Sequence, residues 1–101
     1  MEDVDYKQIK AEIFSQKWWI NNTDPDFCKT TFDKLLKDSG FTVLNFMEHH
    51  FNIQGYTCMW LLAESHLAIH TFPEEGKCYV ELSSCNQEKM EIFKALMKTL
   101  L

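Results

Sequence analysis

Residues 60–76 carry polar groups at positions where a strand that only fills a core would have none. The apolar run "WLLA" is interrupted by Glu64, Ser65 and His66, and His70 follows four residues after His66. A carboxylate, a hydroxyl and two imidazoles are groups that transfer protons or attack carbonyl carbons. The sequence therefore places groups capable of acid–base or nucleophilic chemistry within a segment that is patterned as a strand.

Taken one at a time, these residues also fit ordinary structural roles. His66 and His70 have the four-residue spacing of zinc ligands on a helix, but in a strand the same spacing only puts both rings on one face. No third ligand lies nearby in the sequence, so no metal site is predicted. Ser65 lacks the G-x-S-x-G context of a hydrolase nucleophile. A single cysteine such as Cys85, placed at a strand end, more often packs than reacts.

Length and composition limit the possible classes of protein. A chain of 101 residues predicts one domain, and 46% hydrophobic with 14% aromatic residues is rich for its size. We therefore expect a second copy to cover part of the apolar surface, as in a homodimer. The net charge of -5 argues against binding to nucleic acid or to an anionic membrane.

The sequence contains no apolar run near the roughly 20 residues of a membrane helix, and no signal segment is predicted. Four cysteines show no C-x-x-C pair. Reduced thiols in a cytoplasmic protein are the expectation.

Periodicity predicts the order β-α-β-β-β-β-α. Asp24 and Pro25 predict a helix start and Gly40 its end, and apolar residues at helical spacing predict a second helix over 88–101. The predicted strands cover residues 6–14, 41–51, 56–63, 67–72 and 77–85. The strand at 56–63 is apolar on both faces and is predicted to be central. This order favours an α+β fold, a two-layer sandwich of an antiparallel sheet with both helices on one face.

The combined motif "AESHLAIHTFPEEG", followed by "YVELSSC", closely resembles the bacterial S-adenosylmethionine decarboxylase proenzyme family. The family signature reads Glu-Ser-His, then His-Thr-Trp-Pro-Glu, then Thr-Cys at the end of the next strand. The similarity extends over nearly the whole chain, including "VLNFMEHHFNIQGYT". It implies a pyruvoyl-dependent decarboxylase that acts on S-adenosylmethionine in spermidine biosynthesis, and a homodimer of processed αβ protomers with sites at the dimer interface.

By this resemblance Ser65 is the precursor of the pyruvoyl cofactor. Its hydroxyl attacks the carbonyl carbon of Glu64 and turns the amide into an ester. Elimination then breaks the chain and leaves a dehydroalanine, which hydrolyses to the pyruvoyl group. Residues 1–64 become the β chain and residues 65–101 the α chain.

The resemblance also assigns roles to further residues. His70 takes the proton from the α-carbon of residue 65, and the hydroxyl of Thr57 assists the cleavage. Cys85 donates a proton to the decarboxylated substrate carbon. Phe51 stacks on the adenine, and Glu74 contacts the substrate.

The chain departs from the family pattern around the pocket. Phe72, grouped here with the substrate-binding residues, replaces a tryptophan. Glu81, Ser83 and Asn86 replace an aspartate, a phenylalanine and a glycine. Two alternatives therefore stay open: the same chemistry on ornithine or arginine, and an unprocessed relative with a structural or regulatory role. The sequence does not fix activation by putrescine or a metal.

Overall fold

Five antiparallel strands form one sheet in the order β1-β5-β4-β3-β2. The computed structural model describes residues 12–101, and two helices cover one face of the sheet. The elements are β1 Phe14–Ile20, α1 Pro25–Asp38, β2 Val43–His50, β3 Tyr56–Leu62, β4 Ser65–Phe72, β5 Lys77–Ser84 and α2 Gln87–Met97, with a 3-10 turn over Pro73–Glu75 between β4 and β5. The predicted α+β sandwich with both helices on one side is confirmed.

The core lies between the sheet and the helices, because alternate strand residues point to the helical face. In β3 and β5 this alternation is regular, so every second residue is buried. The largest fully buried side chains include Trp60, Tyr56, Phe32 and Phe93. The Trp60 indole N–H donates to Asp33 Oδ1 at 3.2 Å, which ties β3 to α1.

The predicted start and end of α1 are confirmed. The Asp24 side chain accepts a hydrogen bond of 2.9 Å from the Phe27 N–H, and Pro25 occupies the first helical turn. Gly40 follows the helix with a φ of 90°, a conformation that glycine adopts without steric cost. Both signals are local in sequence, which is why the pattern predicts them correctly.

The structure adjusts two predicted strand features. The first strand was placed at residues 6–14; residues 6–11 lie outside the described part of the chain, and β1 runs from Phe14 to Ile20. It extends there because its even-numbered residues, including Phe14, Trp18 and Ile20, face the helices while the odd-numbered residues between them face away. The centre of the sheet is β4 rather than β3, since β4 lies third in the strand order.

The sheet face away from the helices, here called the open face, is rich in exposed apolar side chains. Its partly or largely exposed members are Trp19, Met47, Met59, Leu61 and Phe72. Within residues 12–101, no helix has the length and apolar character to cross a bilayer.

Asn86 explains one departure from the family pattern. Its side-chain Oδ1 accepts a hydrogen bond of 2.9 Å from the Lys89 N–H and so caps the start of α2. Asparagine and glycine are both accepted at this position of a helix, whereas alanine is not. The change from glycine to asparagine therefore preserves the helix start.

We expect Asn86→Ala to lower the free energy of unfolding by about 1 kcal/mol and Asn86→Gly by only a few tenths. Urea denaturation followed by circular dichroism measures both. Gln87→Ala, which truncates an exposed side chain in the same turn, is the matched control. Equal losses for the alanine and glycine variants would contradict a capping role.

Candidate active site

The predicted cleavage position lies at one end of the sheet, beside the end of β5. The register of the antiparallel pair β4–β5 places Ser65 opposite Ser84. Glu64 and Cys85 flank this pair in sequence, so four residues with reactive side chains meet at one corner. We call Glu64, Ser65, Ser84 and Cys85 the cleavage corner.

Glu64 has a left-handed backbone, with a φ of 59° in the turn that joins β3 to β4. A residue with a Cβ atom pays about 1–2 kcal/mol for this conformation. The turn is held in place by the Ala63 N–H, which donates to the Thr42 carbonyl at 3.2 Å. Strain is therefore present at the residue that supplies the carbonyl of the bond between residues 64 and 65.

The Ser65 hydroxyl is buried and has one defined partner. It donates to Ser84 Oγ at 2.8 Å, and the same Ser84 oxygen accepts a hydrogen bond of 2.9 Å from the Asn86 N–H. Two hydrogen bonds thus fix the position of Ser84, which in turn orients the Ser65 hydroxyl oxygen. The sequence interpretation missed Ser84. The signal that could have identified it is the family's threonine before the cysteine, a position where serine keeps the hydroxyl.

The Cys85 thiol is the only partly exposed thiol among the four cysteines of the chain. Its Sγ donates to Glu64 Oε2 at 3.1 Å. This hydrogen bond, followed by partial burial and the negative charge of Glu64, raises the pKa of Cys85 above the usual range. The thiol is therefore protonated at neutral pH, as a proton donor must be.

A second group of predicted residues lies on the open face. Thr57 Oγ1 and His70 Nδ1 are 3.0 Å apart in hydrogen-bond contact, and the Tyr79 ring stacks beside the imidazole at a centroid distance of 6.3 Å. Strand register aligns these residues with Trp19 on one side and His49 on the other. Trp19, Tyr79, His70, Thr57 and His49 therefore form one row across all five strands, the cross-strand row.

Within one chain, His70 does not reach the cleavage corner. Ser65 and His70 are five residues apart on the same strand, which corresponds to roughly 16 Å along its axis. An odd separation also puts the two side chains on opposite faces. Ser65 is on the helical side and His70 is on the open face. A single protomer therefore separates residue 65 from His70, the predicted base for its α-proton.

The predicted substrate-binding residues fall in two places. The exposed ring of Phe51 lines a cleft of about 310 Å³ together with Gln54 and Pro73. Glu74 lies beside this cleft, and its Oε2 is 3.4 Å from Gln54 Nε2. Phe72 lies apart from them on the open face, where its ring packs on Trp19.

Among residues 12–101, no three histidine, cysteine or acidic side chains converge as a metal site would require. His66 is exposed on the open face four residues before His70, on the same side of β4.

The sequence model of the S-adenosylmethionine decarboxylase family matches residues 7–101 of this chain. The chain belongs to this family. It is 45% identical over 67 residues to an S-adenosylmethionine decarboxylase proenzyme of Prochlorococcus marinus, with 66% of this chain and 54% of that protein aligned. It is 38% identical over 87 residues to the S-adenosylmethionine decarboxylase proenzyme of Brevibacillus brevis, with 83% of this chain and 65% of that protein aligned.

The chain spans about half the length of the Prochlorococcus relative. A solved structure, the adenosylmethionine decarboxylase from Aquifex aeolicus, superimposes with a TM-score of 0.67 at 24% identity. The superposition covers 88% of this chain and 77% of the Aquifex chain. At this identity the match establishes the fold.

We expect Ser84→Ala to slow chain cleavage about tenfold, because losing one orienting hydrogen bond costs about 1–1.5 kcal/mol. The cleaved fraction is followed over time on denaturing gels. Ser84→Thr retains the hydroxyl and is expected to cleave at close to the parental rate. Ser83→Ala, one residue away on the open face, is the matched control. Unchanged cleavage in Ser84→Ala would rule out the orienting role.

Proposed function

We propose that this chain is a self-processing proenzyme of a pyruvoyl-dependent S-adenosylmethionine decarboxylase. The observation that carries the proposal is the cleavage corner, where a left-handed Glu64 precedes a buried serine hydroxyl held at 2.8 Å by Ser84. Membership of the family supports the reaction class. Four free cysteines are consistent with a reducing cytoplasm.

Cleavage begins with the Ser65 hydroxyl. Its oxygen attacks the Glu64 carbonyl carbon, the carbon–nitrogen bond breaks, and the released amine takes a proton, so that an ester replaces the amide. Ser84 orients the attacking oxygen, and the proton of the Ser65 hydroxyl ends on the released amine. Relief of the left-handed turn at Glu64 favours the forward direction.

The second step needs a base at the α-carbon of residue 65. Removal of that proton expels the backbone α-carboxylate of Glu64 from the ester and leaves a dehydroalanine at residue 65. The dehydroalanine reacts with water, loses ammonia and becomes the pyruvoyl group. His70 of the same chain lies about 16 Å away along the strand, too far to reach that α-carbon. We therefore assign this base to the partner's His70.

A homodimer that packs the two open faces together provides such an imidazole. If the strands of the two sheets run antiparallel, the start of β4 in one chain lies opposite the end of β4 in the other. The exposed apolar side chains of the open face, among them Met47 at 62% and Leu61 at 50%, become buried in this arrangement. Thr57 lies 3.0 Å from His70 and orients its ring.

The residues around position 65 fit a pyruvoyl group, because Ser65 is 9% exposed, its hydroxyl contacts Ser84, and the Cys85 thiol contacts the neighbouring Glu64. The pyruvoyl group supplies a ketone carbon that captures the substrate amine and accepts the electrons released with carbon dioxide. Cys85 holds a proton at Sγ and delivers it to the substrate carbon. We assign adenine stacking to Phe51, ribose or sulfonium contacts to Glu74, and an apolar wall to Phe72.

The reaction predicts two fragments in purified wild-type protein. Intact-mass spectrometry is expected to show residues 1–64 and residues 65–101, the second without a free amino group. Ser65→Ala is expected to remain one full-length species. A single uncleaved wild-type chain after long incubation would instead support an unprocessed regulatory relative. Release of carbon dioxide from ornithine or arginine, but not from S-adenosylmethionine, would overturn the substrate assignment.

The shared site predicts complementation between two inactive variants. His70→Ala alone and Ser65→Ala alone are both expected to remain uncleaved. When they are coexpressed with different tags, the His70→Ala chain is expected to be cleaved, because its Ser65 meets the imidazole of the other variant. Copurification confirms that mixed dimers form. Mixed dimers in which both chains stay intact would contradict a site built from two chains.

A further inference from the structure

We propose that the Glu64 side chain is a positioning residue that keeps the Cys85 thiol protonated, both before cleavage and afterwards as the last residue of the β chain. The catalytic meaning of this role rests on the proposed function. The contact itself is a property of the uncleaved chain, so it can be tested without any cleavage or decarboxylation.

The geometry that supports this role is set by two neighbouring strands. The register of β4 and β5 pairs Ser65 with Ser84. Glu64, which precedes Ser65, and Cys85, which follows Ser84, are therefore brought together. Cys85 Sγ donates to Glu64 Oε2 at 3.1 Å across 21 positions of sequence. The left-handed backbone of Glu64 sets the direction of its side chain.

The charges around Cys85 favour the protonated thiol. Glu64 raises the pKa of Cys85 through the hydrogen bond and through its negative charge, and partial burial acts in the same direction. A backbone hydrogen bond to Cys85 and, more weakly, the positive charge of Lys89 oppose these effects without outweighing them. Cys85 directly precedes the Asn86 cap of α2, and helix N-termini and cations favour the thiolate, so the Glu64 carboxylate acts against this local bias.

Cleavage adds to this effect. When the bond after Glu64 breaks, that residue gains an α-carboxylate while it keeps its side-chain carboxylate. If the end of the β chain stays in place, the negative charge beside Cys85 increases by one. Processing would therefore strengthen the hold on the proton that Cys85 delivers to the substrate carbon. The β-chain terminus becomes part of the site.

The test measures thiol reactivity in the uncleavable Ser65→Ala background. Iodoacetamide alkylates thiolates, and Cys28, Cys58 and Cys78 are at most 1% exposed, so Cys85 is the reporter. Mass spectrometry gives the alkylation rate across pH 6–10. Adding Cys85→Ser to the background removes the signal and confirms its origin.

In this background we expect Glu64→Gln to move the midpoint of the alkylation profile to lower pH and to raise the rate at pH 7.5 at least threefold. Glu64→Gly removes the same carboxylate, tolerates the left-handed backbone and is expected to give a similar shift. Glu64→Asp, which retains a carboxylate, is expected to restore part of the parental profile. Glu75→Gln, an exposed glutamate in the 3-10 turn, is the control and is expected to leave the profile unchanged.

If Glu64→Gln and Glu64→Gly both showed the same pH profile of alkylation as the Ser65→Ala parent, the positioning role would be overturned. The proposal of self-cleavage would be unaffected. Failure of wild-type protein to cleave would overturn the proposed function while leaving the thiol profile interpretable. The two outcomes are therefore separable.

Discussion

The antiparallel register of β4 against β5 is the constraint on which the candidate site depends. It pairs Ser65 with Ser84 and thereby brings two sequence-distant dipeptides, Glu64–Ser65 and Ser84–Cys85, to one corner of the sheet. A slip of one residue would turn the Ser84 side chain to the other face and would end both its contact with Ser65 and the thiol–carboxylate contact. Buried alternate residues of both strands, such as Leu67 and Val80, fix that register.

The same two-residue period that assembles the corner also divides the site. Because Ser65 and His70 are five positions apart on β4, one strand cannot present both to the same point. The exposed apolar open face supplies a physical reason for a second chain to bind at that surface. The distance between Ser65 and His70 and the uncovered open face therefore both support the proposed two-chain site.

The features predictable from sequence were those set by local interactions. Asp24 and Pro25 specify the start of α1 through contacts within four residues, and the alternation in 77–85 specifies β5. Strand pairing is not local, so neither the central place of β4 nor the role of Ser84 followed from the pattern. The separation of Ser65 from His70 was deducible from spacing alone. The family resemblance assigns both to one reaction and implies sites at a dimer interface, and the proposal that two chains supply them rests on their separation along β4.

The most direct test of the shared site is a crystal structure of the Ser65→Ala protein. The decisive quantity is the distance from the α-carbon of residue 65 to each nearby imidazole nitrogen. The account predicts that the partner's His70 lies within about 4 Å, close enough for proton transfer, while His70 of the same chain remains far along β4. A monomer, or a dimer in which no imidazole of the second chain approaches residue 65, would contradict it.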